Sequence, residues 1–216
     1  MRLGVLASGS GSNLQAILDG CASGKIPAQV AVMVCNVPGA RALERARAAG
    51  VPTVLLEHKQ FASRDEYDRE LVSVLRRHGV ELVCLAGFMR LLGPALLSAF
   101  QNKILNIHPS LLPAFPGLHA VRQAVAAGVR VSGCTVHVVD EGTDTGPIVI
   151  QAAVPVLEGD SEETLAARIL AQEHRCYSRA VALWAQGRVR VEDRRVRIAG
   201  AAGDPARTLS SPELLD

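Results

Sequence analysis

Two short stretches of this chain carry side chains able to do chemistry on a carbonyl group. The first is Asn106-Ile107-His108-Pro109-Ser110-Leu111-Leu112-Pro113, which leaves the aliphatic run Ile104–Ile107. If that run is a strand, alternation puts Asn106 and His108 on the same side of it. An amide beside an imidazole can hold a developing oxyanion, and the imidazole can also trade a proton near neutral pH. The second stretch is the polar loop Glu141-Gly142-Thr143-Asp144-Thr145-Gly146. A carboxylate from Asp144 near His108 would favour the charged ring and orient it. Both residues also have plainer readings, His108 as a satisfied structural histidine and Asp144 as the head of an Asx turn.

A third stretch, Gly9-Ser10-Gly11-Ser12-Asn13, follows the first aliphatic run. Glycines permit positive φ and close backbone approach, and Ser12 and Asn13 are good capping types for a following helix. Free N–H groups at such a helix start make an anion site. The third glycine of a dinucleotide fingerprint is missing, since position 14 is Leu, and Cys35-Asn36 ends the second run where an acidic residue would hold a ribose. A dinucleotide is therefore disfavoured. Without a GK[ST] tripeptide a P-loop is excluded too, which leaves a single phosphate, or a plain capped turn.

These groups need a frame. Leu3–Ala7, Val30–Cys35, Thr53–Leu56, Leu82–Ala86 and Ile104–Ile107 read as strands, with helices at Asn13–Asp19, Ala40–Ala49, Arg64–His78 and Pro94–Phe100 between them. That alternation predicts an α/β fold with a doubly wound, mostly parallel sheet, whose ligands bind outside the carboxyl ends of the strands. Asp65 opens the third helix and Gly79 stops it. A Pro/Gly-rich loop over 108–118 follows, in which the bonds before Pro109, Pro113 and Pro116 are the candidates for a cis peptide. Beyond it come a helix at His119–Ala127, two strands at Cys134–Val139 and Ile148–Val154, and a long helix at Ser161–Trp184. Arg188–Ile198 suits a small hairpin, and the Gly/Pro/Ala/Ser tail from Ala199 to Asp216 is expected to be loose.

Composition narrows the class. The 216 residues suit one domain. Aromatics are 3% of the chain, so the core must be built from Val, Leu, Ile and Ala. A net charge of +2 and the lack of any basic cluster interleaved with aromatics argue against nucleic acid. The five cysteines are widely spaced with no CxxC pair, which suits a reducing cytosol, and Cys35 and Cys84 read as small buried hydrophobes. The start of the chain breaks at Gly9, too early for a signal peptide, and no run is long enough to cross a membrane. A cytoplasmic location is expected. Cys134 and His137 fall on opposite strand faces, and the remaining histidines form no ligand pattern, so no metal is expected.

Taken together, Leu105-Asn106-Ile107-His108-Pro109-Ser110-Leu111-Leu112-Pro113, Phe115, Gly117 and Asp144-x-Gly146 resemble the signature of the folate-dependent formyltransferases. Ser8-Gly9-Ser10-Gly11-Ser12-Asn13-Leu14-Gln15 resembles the branch that formylates glycinamide ribonucleotide in purine synthesis. Ser63-Arg64-x-x-Tyr67-Asp68, Leu85-Ala86-Gly87-Phe88-Met89-Arg90 and Gln172-Glu173-His174 match that branch as well.

The resemblance implies a Rossmann-like formyltransferase fold over 1–190, with a phosphate-binding N-terminal half and a folate and catalytic C-terminal half, antiparallel additions toward the C-terminus, and a hairpin and tail at 191–216. It implies Asn106, His108 and Asp144 as catalytic residues, with Gly11, Ser12 and Asn13 on the substrate phosphate and Glu173 on the sugar or glycinamide. Met89, Arg90, Leu91 and Leu92, with Val139, Asp140, Glu141, Asp144 and Asn106, would surround the pterin of 10-formyltetrahydrofolate, and Arg64 would lie near its acidic tail. The implied partners are those two small molecules, with no metal, nucleic acid or membrane, in a monomer or homodimer. Leu170, where a polar residue can help hold the sugar, and Ser178, where the family has Pro, depart from the pattern. A formyltetrahydrofolate hydrolase shares the Asn/His/Asp core but usually carries an extra N-terminal domain, whereas here the first strand starts at Leu3. A methionyl-tRNA formyltransferase would need a further C-terminal domain and a basic surface. A non-catalytic phosphometabolite-binding module would account for the Gly-rich loop alone.

Overall fold

The Val/Ile/Leu runs become the strands of one sheet, apolar on both faces because both faces are covered. The computed structural model describes residues 1–200 and gives seven strands in that sheet. They are β1 (Arg2–Ala7), β2 (Gln29–Cys35), β3 (Thr53–Leu55), β4 (Leu82–Leu85), β5 (Ile104–His108), β6 (Val131–Val138) and β7 (Ile148–Pro155), in the order β3-β2-β1-β4-β5-β6-β7. The five strands from β3 to β5 pair in parallel. β6 and β7 are the antiparallel additions. A separate hairpin, β8 (Val189–Glu192) and β9 (Arg195–Ile198), follows the last helix.

Helices cover the two faces unequally. α1 (Ser12–Ala22), α2 (Arg41–Ala48), α5 (Ala120–Ala126) and α6 (Glu162–Ala185) bury their apolar stripes with Val5, Cys84, Leu105 and Val136 on one face. α3 (Arg64–Arg77) and α4 (Pro94–Ala99) pack with Leu6, Val83, Leu85 and Ile104 on the other. Each fully buried aliphatic side chain contributes roughly 1.5–3 kcal/mol. α3 begins at Arg64, as expected. Ser63, not Asp65, is its N-cap, with its Oγ accepting from Glu66 N at 3.1 Å, and Asp65 sits in the first turn. Ser161 and Thr164 form a capping box at the head of α6.

From α6 the fully buried Tyr177 points at the sheet, its Oη 2.9 Å from both Leu85 O and Leu105 O. Cys35 and Cys84 are buried, and all five thiols are free. Of the three X-Pro bonds in the loop after β5, Leu112–Pro113 is cis. Ala199 is held to Arg188 by backbone and guanidinium hydrogen bonds, so the tail does not loosen there, and residues 201–216 lie outside the described residues. Among the described residues no helix is long and apolar enough to cross a membrane.

Candidate active site

β5 alternates as its pattern demands. Leu105 and Ile107 enter the core under α6, whereas Asn106 and His108 face the opposite side of the sheet with Ile104. α4 covers that side only at the start of β5, against Ile104. The loops 109–118 and 139–147 lie beyond it, so Asn106 works from the sheet face and only His108 stands at the strand's carboxyl end, as the last residue of β5. The first loop is pinned from below. Thr135 Oγ1 donates to Ser110 O at 2.7 Å and accepts from Leu112 N at 3.0 Å, and Gln151 Nε2 donates to Leu112 O at 2.9 Å.

Asp144 closes the site with a positive φ of 55°. Its Oδ2 accepts from Gly117 N at 2.8 Å and lies 3.3 Å from His108 Nδ1. Its Oδ1 lies 3.5 Å from Asn106 Nδ2 and 3.5 Å from His137 Nε2. Burial alone would push this carboxyl up, but His137, the Gly117 N–H and the charge of His108 hold it below the ordinary carboxylate range. His108 Nε2 is 2.8 Å from Phe115 O. Acceptors therefore flank both ring nitrogens, an arrangement that a doubly protonated imidazole satisfies on each side. The expected trio is thus one connected group.

A fourth member was missed from sequence. Asn106 and His137 are register partners across the antiparallel β5–β6 pair, and Asn106 Nδ2 lies 3.1 Å from His137 Nε2. His137 Nδ1 lies 3.1 Å from the carbonyl of Val138, and Nε2 stands between Asn106 Nδ2 and Asp144 Oδ1. Alternation with Val136 and Val138 already sets His137 away from the core. Its match to Asn106 depends on a long-range register that spacing does not reveal.

The glycine-rich loop is built as glycine chemistry predicts, with one change of roles. Gly11 is the N-cap of α1 with φ 71°, and a Cβ there would press on Ala42. Neither Ser12 nor Asn13 caps the helix through its side chain. Asn13 instead donates from Nδ2 to Glu173 Oε2 at 2.8 Å, leaving its buried Oδ1 without a partner. Arg45 adds a cation at the loop through Nε to Ser10 O at 2.9 Å. Burial pushes the Glu173 carboxyl up, against the Asn13 hydrogen bond and the charge of His108, so this residue links the glycine-rich loop to the trio.

The segments expected to surround a pterin show mixed exposure. Met89 and Leu91 are 68% and 65% exposed, whereas Leu92 and Val139 pack against the core under α3. Arg64 donates to Leu92 O, and Arg90 stacks on Tyr67. A cavity of about 460 Å³ is lined by Val139, Asp140 and Glu141 together with Leu97, Ser98 and Gln101 of and beside α4, and Met89–Leu92 do not line it. A hollow of about 600 Å³ under the β8–β9 hairpin touches none of the trio. Among the described residues no cluster of His, Cys, Asp and Glu is arranged to hold a metal ion.

The family profile described as formyl transferase matches residues 1–181. The chain belongs to the formyl transferase family. This family member is 46% identical over 193 residues to phosphoribosylglycinamide formyltransferase of Escherichia coli, covering 89% of this chain and 91% of that one. It superposes on a crystal structure of glycinamide ribonucleotide transformylase 1 from Symbiobacterium toebii with a TM-score of 0.91 and 58% identity, covering 92% and 93% of the two chains. It is also 50% identical over 191 residues to the trifunctional purine biosynthetic protein adenosine-3 of Drosophila pseudoobscura, covering 88% of this chain and spanning 14% of that protein's length.

Proposed function

We propose that this formyl transferase moves the formyl group of 10-formyltetrahydrofolate to the amine of glycinamide ribonucleotide, as a step of purine biosynthesis. The observation that carries the reading is the gathering of Asn106, His108 and His137 around the Asp144 carboxylate, beside a phosphate loop tied to Glu173. The acceptor's phosphate fits the start of α1, where first-turn N–H groups have no partner within the helix, with Gly11 allowing close approach. The orphaned Asn13 Oδ1 and the Glu173 carboxylate face the sugar or glycinamide side. Met89–Leu92 and Val139–Asp144 take the pterin, and Arg64 serves the acidic tail.

The amine attacks the formyl carbon, the new C–N bond forms, and the carbonyl electron pair becomes an oxyanion on a tetrahedral carbon. Asn106 Nδ2 and the charged His108 ring stabilise that oxyanion, contacts worth roughly 3–4 kcal/mol when one donor is lost. Asp144 holds the ring in place through Nδ1. Collapse then breaks the bond to the folate nitrogen, which takes up the proton released by the amine through water. A cytoplasmic location goes with this reading.

Absorbance-monitored release of deformylated folate, with and without glycinamide ribonucleotide, tests it. Release that requires the ribonucleotide is expected. Equal release without it makes water the acceptor and the chain a hydrolase. Folate binding with no turnover under either condition makes it a binding module.

A further inference from the structure

The Met89–Gly93 segment has neither helix nor strand, so no ladder of backbone hydrogen bonds holds its shape. It is instead tied by side chains at nearly every residue. Met89 N donates to Ser8 Oγ at 2.9 Å, and that hydroxyl donates onward to Asn36 Oδ1 at 2.6 Å. The Arg90 guanidinium lies 4.9 Å from the centre of the Tyr67 ring. Arg64 donates to Leu92 O. Gly93 N donates to Asp68 Oδ2 at 2.5 Å. Three of these four ties come from the first turns of α3, two of them from Tyr67 and Asp68, which are each 1% exposed.

The Asp68 contact is the tightest in construction. Gly93 is buried, and a Cβ there would overlap Asp68 Oδ2, so the position has room for the carboxylate only because it is glycine. Gly93 is also the N-cap of α4, the helix that brings Leu97 and Ser98 to the cavity shared with Val139–Gly142. A buried carboxylate bound to a backbone N–H and flanked by cations is a strong, directional fixing point. Burial pushes the carboxyl of Asp68 up, while the Gly93 N–H, Arg64 and Arg90 pull it back.

We propose that Asp68 is a positioning residue for the formyl donor, fixing Met89–Gly93 and the start of α4 so that its loss falls on donor affinity rather than on the chemical step. The proposal rests on the reading of Met89–Leu92 as part of the donor site.

Steady-state kinetics of Asp68→Ala and Asp68→Asn test it. Asp68→Ala should raise KM for 10-formyltetrahydrofolate about tenfold or more, because it strands the buried Gly93 N–H. The turnover number and KM for the ribonucleotide should change by no more than about threefold. Asp68→Asn keeps an oxygen for that N–H and should recover most of the loss. An equal rise in both KM values, or a fall in turnover alone, overturns the proposal. Hydrogen exchange on the unmodified protein adds a readout independent of how the variants fold. Gly93 should exchange as slowly as the core amides of α3 without any ligand, and rapid exchange there overturns the proposal. Protection of Gly93 with no donor effect makes the contact merely structural and also overturns it. If the unmodified chain transfers no formyl group, the proposed function fails by itself. Calorimetric binding of tetrahydrofolate to the wild type and Asp68→Ala then decides the positioning role, which a tenfold weaker binding supports and equal binding refutes.

Discussion

Asn13 and Glu173 stand 160 positions apart, yet the Asn13 amide donates to the Glu173 carboxylate across 2.8 Å in a buried setting. The contact joins the first turn of α1 to the middle of α6, two elements that pack against each other on the same side of the sheet. The loop that would hold a phosphate and the helix that would hold the rest of the acceptor therefore move as one piece.

Glu173 carries a pH signature with a definite sign. Its carboxyl is raised in the fold, chiefly by burial, so the folded protein favours the protonated form. The penalty for ionising it is absent below the ordinary carboxylate range, sets in as pH rises from there through the raised value, and persists above. Glu173→Gln, which keeps an acceptor for Asn13, should therefore have the higher Tm at pH 8, with the gain shrinking toward pH 4. Thermal melts across that range check this, since 1 kcal/mol moves Tm by about 2–4 °C in a chain of this size. A gain greatest at acid pH would be incompatible with it.

Asp144 is opposite in sign. Its carboxyl is lowered, so its favourable contacts are fully present above the ordinary carboxylate range and are lost only as pH falls through the lowered value. Asp144→Asn removes the charge shared by His108 and His137 with little change of shape. Turnover should fall about 10²- to 10⁴-fold near neutral pH, as when the orienting carboxylate of a triad is neutralised. Ribonucleotide binding measured by calorimetry should stay within a few-fold, and a variant with near-normal turnover would remove Asp144 from the catalytic assignment.

His137→Ala takes away the ring that faces Asn106 Nδ2 and frees the amide to turn. Loss of a fixed orientation at an oxyanion donor should lower turnover about 10- to 100-fold. The comparison that matters is with Asn106→Ala. The double variant should be no worse than about the Asn106 single variant, because His137 acts through that amide; additive losses would mean that it acts on substrate directly.

Arg194, in the turn of the C-terminal hairpin, reaches the second loop of the site. It donates to Thr145 O at 2.5 Å and lies 3.7 Å from Asp140 Oδ2. The side chain is 73% exposed, so its contribution to global stability is small. Arg194→Ala should leave Tm within about 2 °C. Amide exchange across Asp140–Thr145 should nonetheless quicken severalfold, together with a rise of a few-fold in KM for the folate. Unchanged exchange in that loop would show the contact to be idle.

Much of this was legible in the residue pattern, for reasons that differ from part to part. Strands such as Val30–Cys35 announce themselves because a run apolar on both faces has nowhere to go but a covered sheet. That Asn106 and His108 would share a strand face was legible from alternation, and the structure brings Asp144 of the later loop beside both. His137 was hidden, since its partner is set by pairing two strands with a 22-residue connection between them. Asn13 has the residue type of a cap, but a buried carboxylate on a distant helix competes better for its amide. Nor could spacing show that Asn106 would face the loop of Asp144 rather than a helix, because where the helices fall on each face depends on the whole winding order.

The phenol of Tyr177 meets the last residue of β4 and the residue before Asn106 at equal distance, from a helix that carries Glu173 one turn earlier. α6 is thus a gauge block for the site. Its rotation or slip would shift the Glu173 carboxylate, the strand that leads into Met89–Gly93 and the strand of Asn106 and His108 by a common amount. If Glu173 and Met89–Leu92 serve acceptor and donor as proposed, redesigning the one through side chains of α6 alone would carry a penalty on the other, and loops 109–118 and 139–147 are the better places to change selectivity.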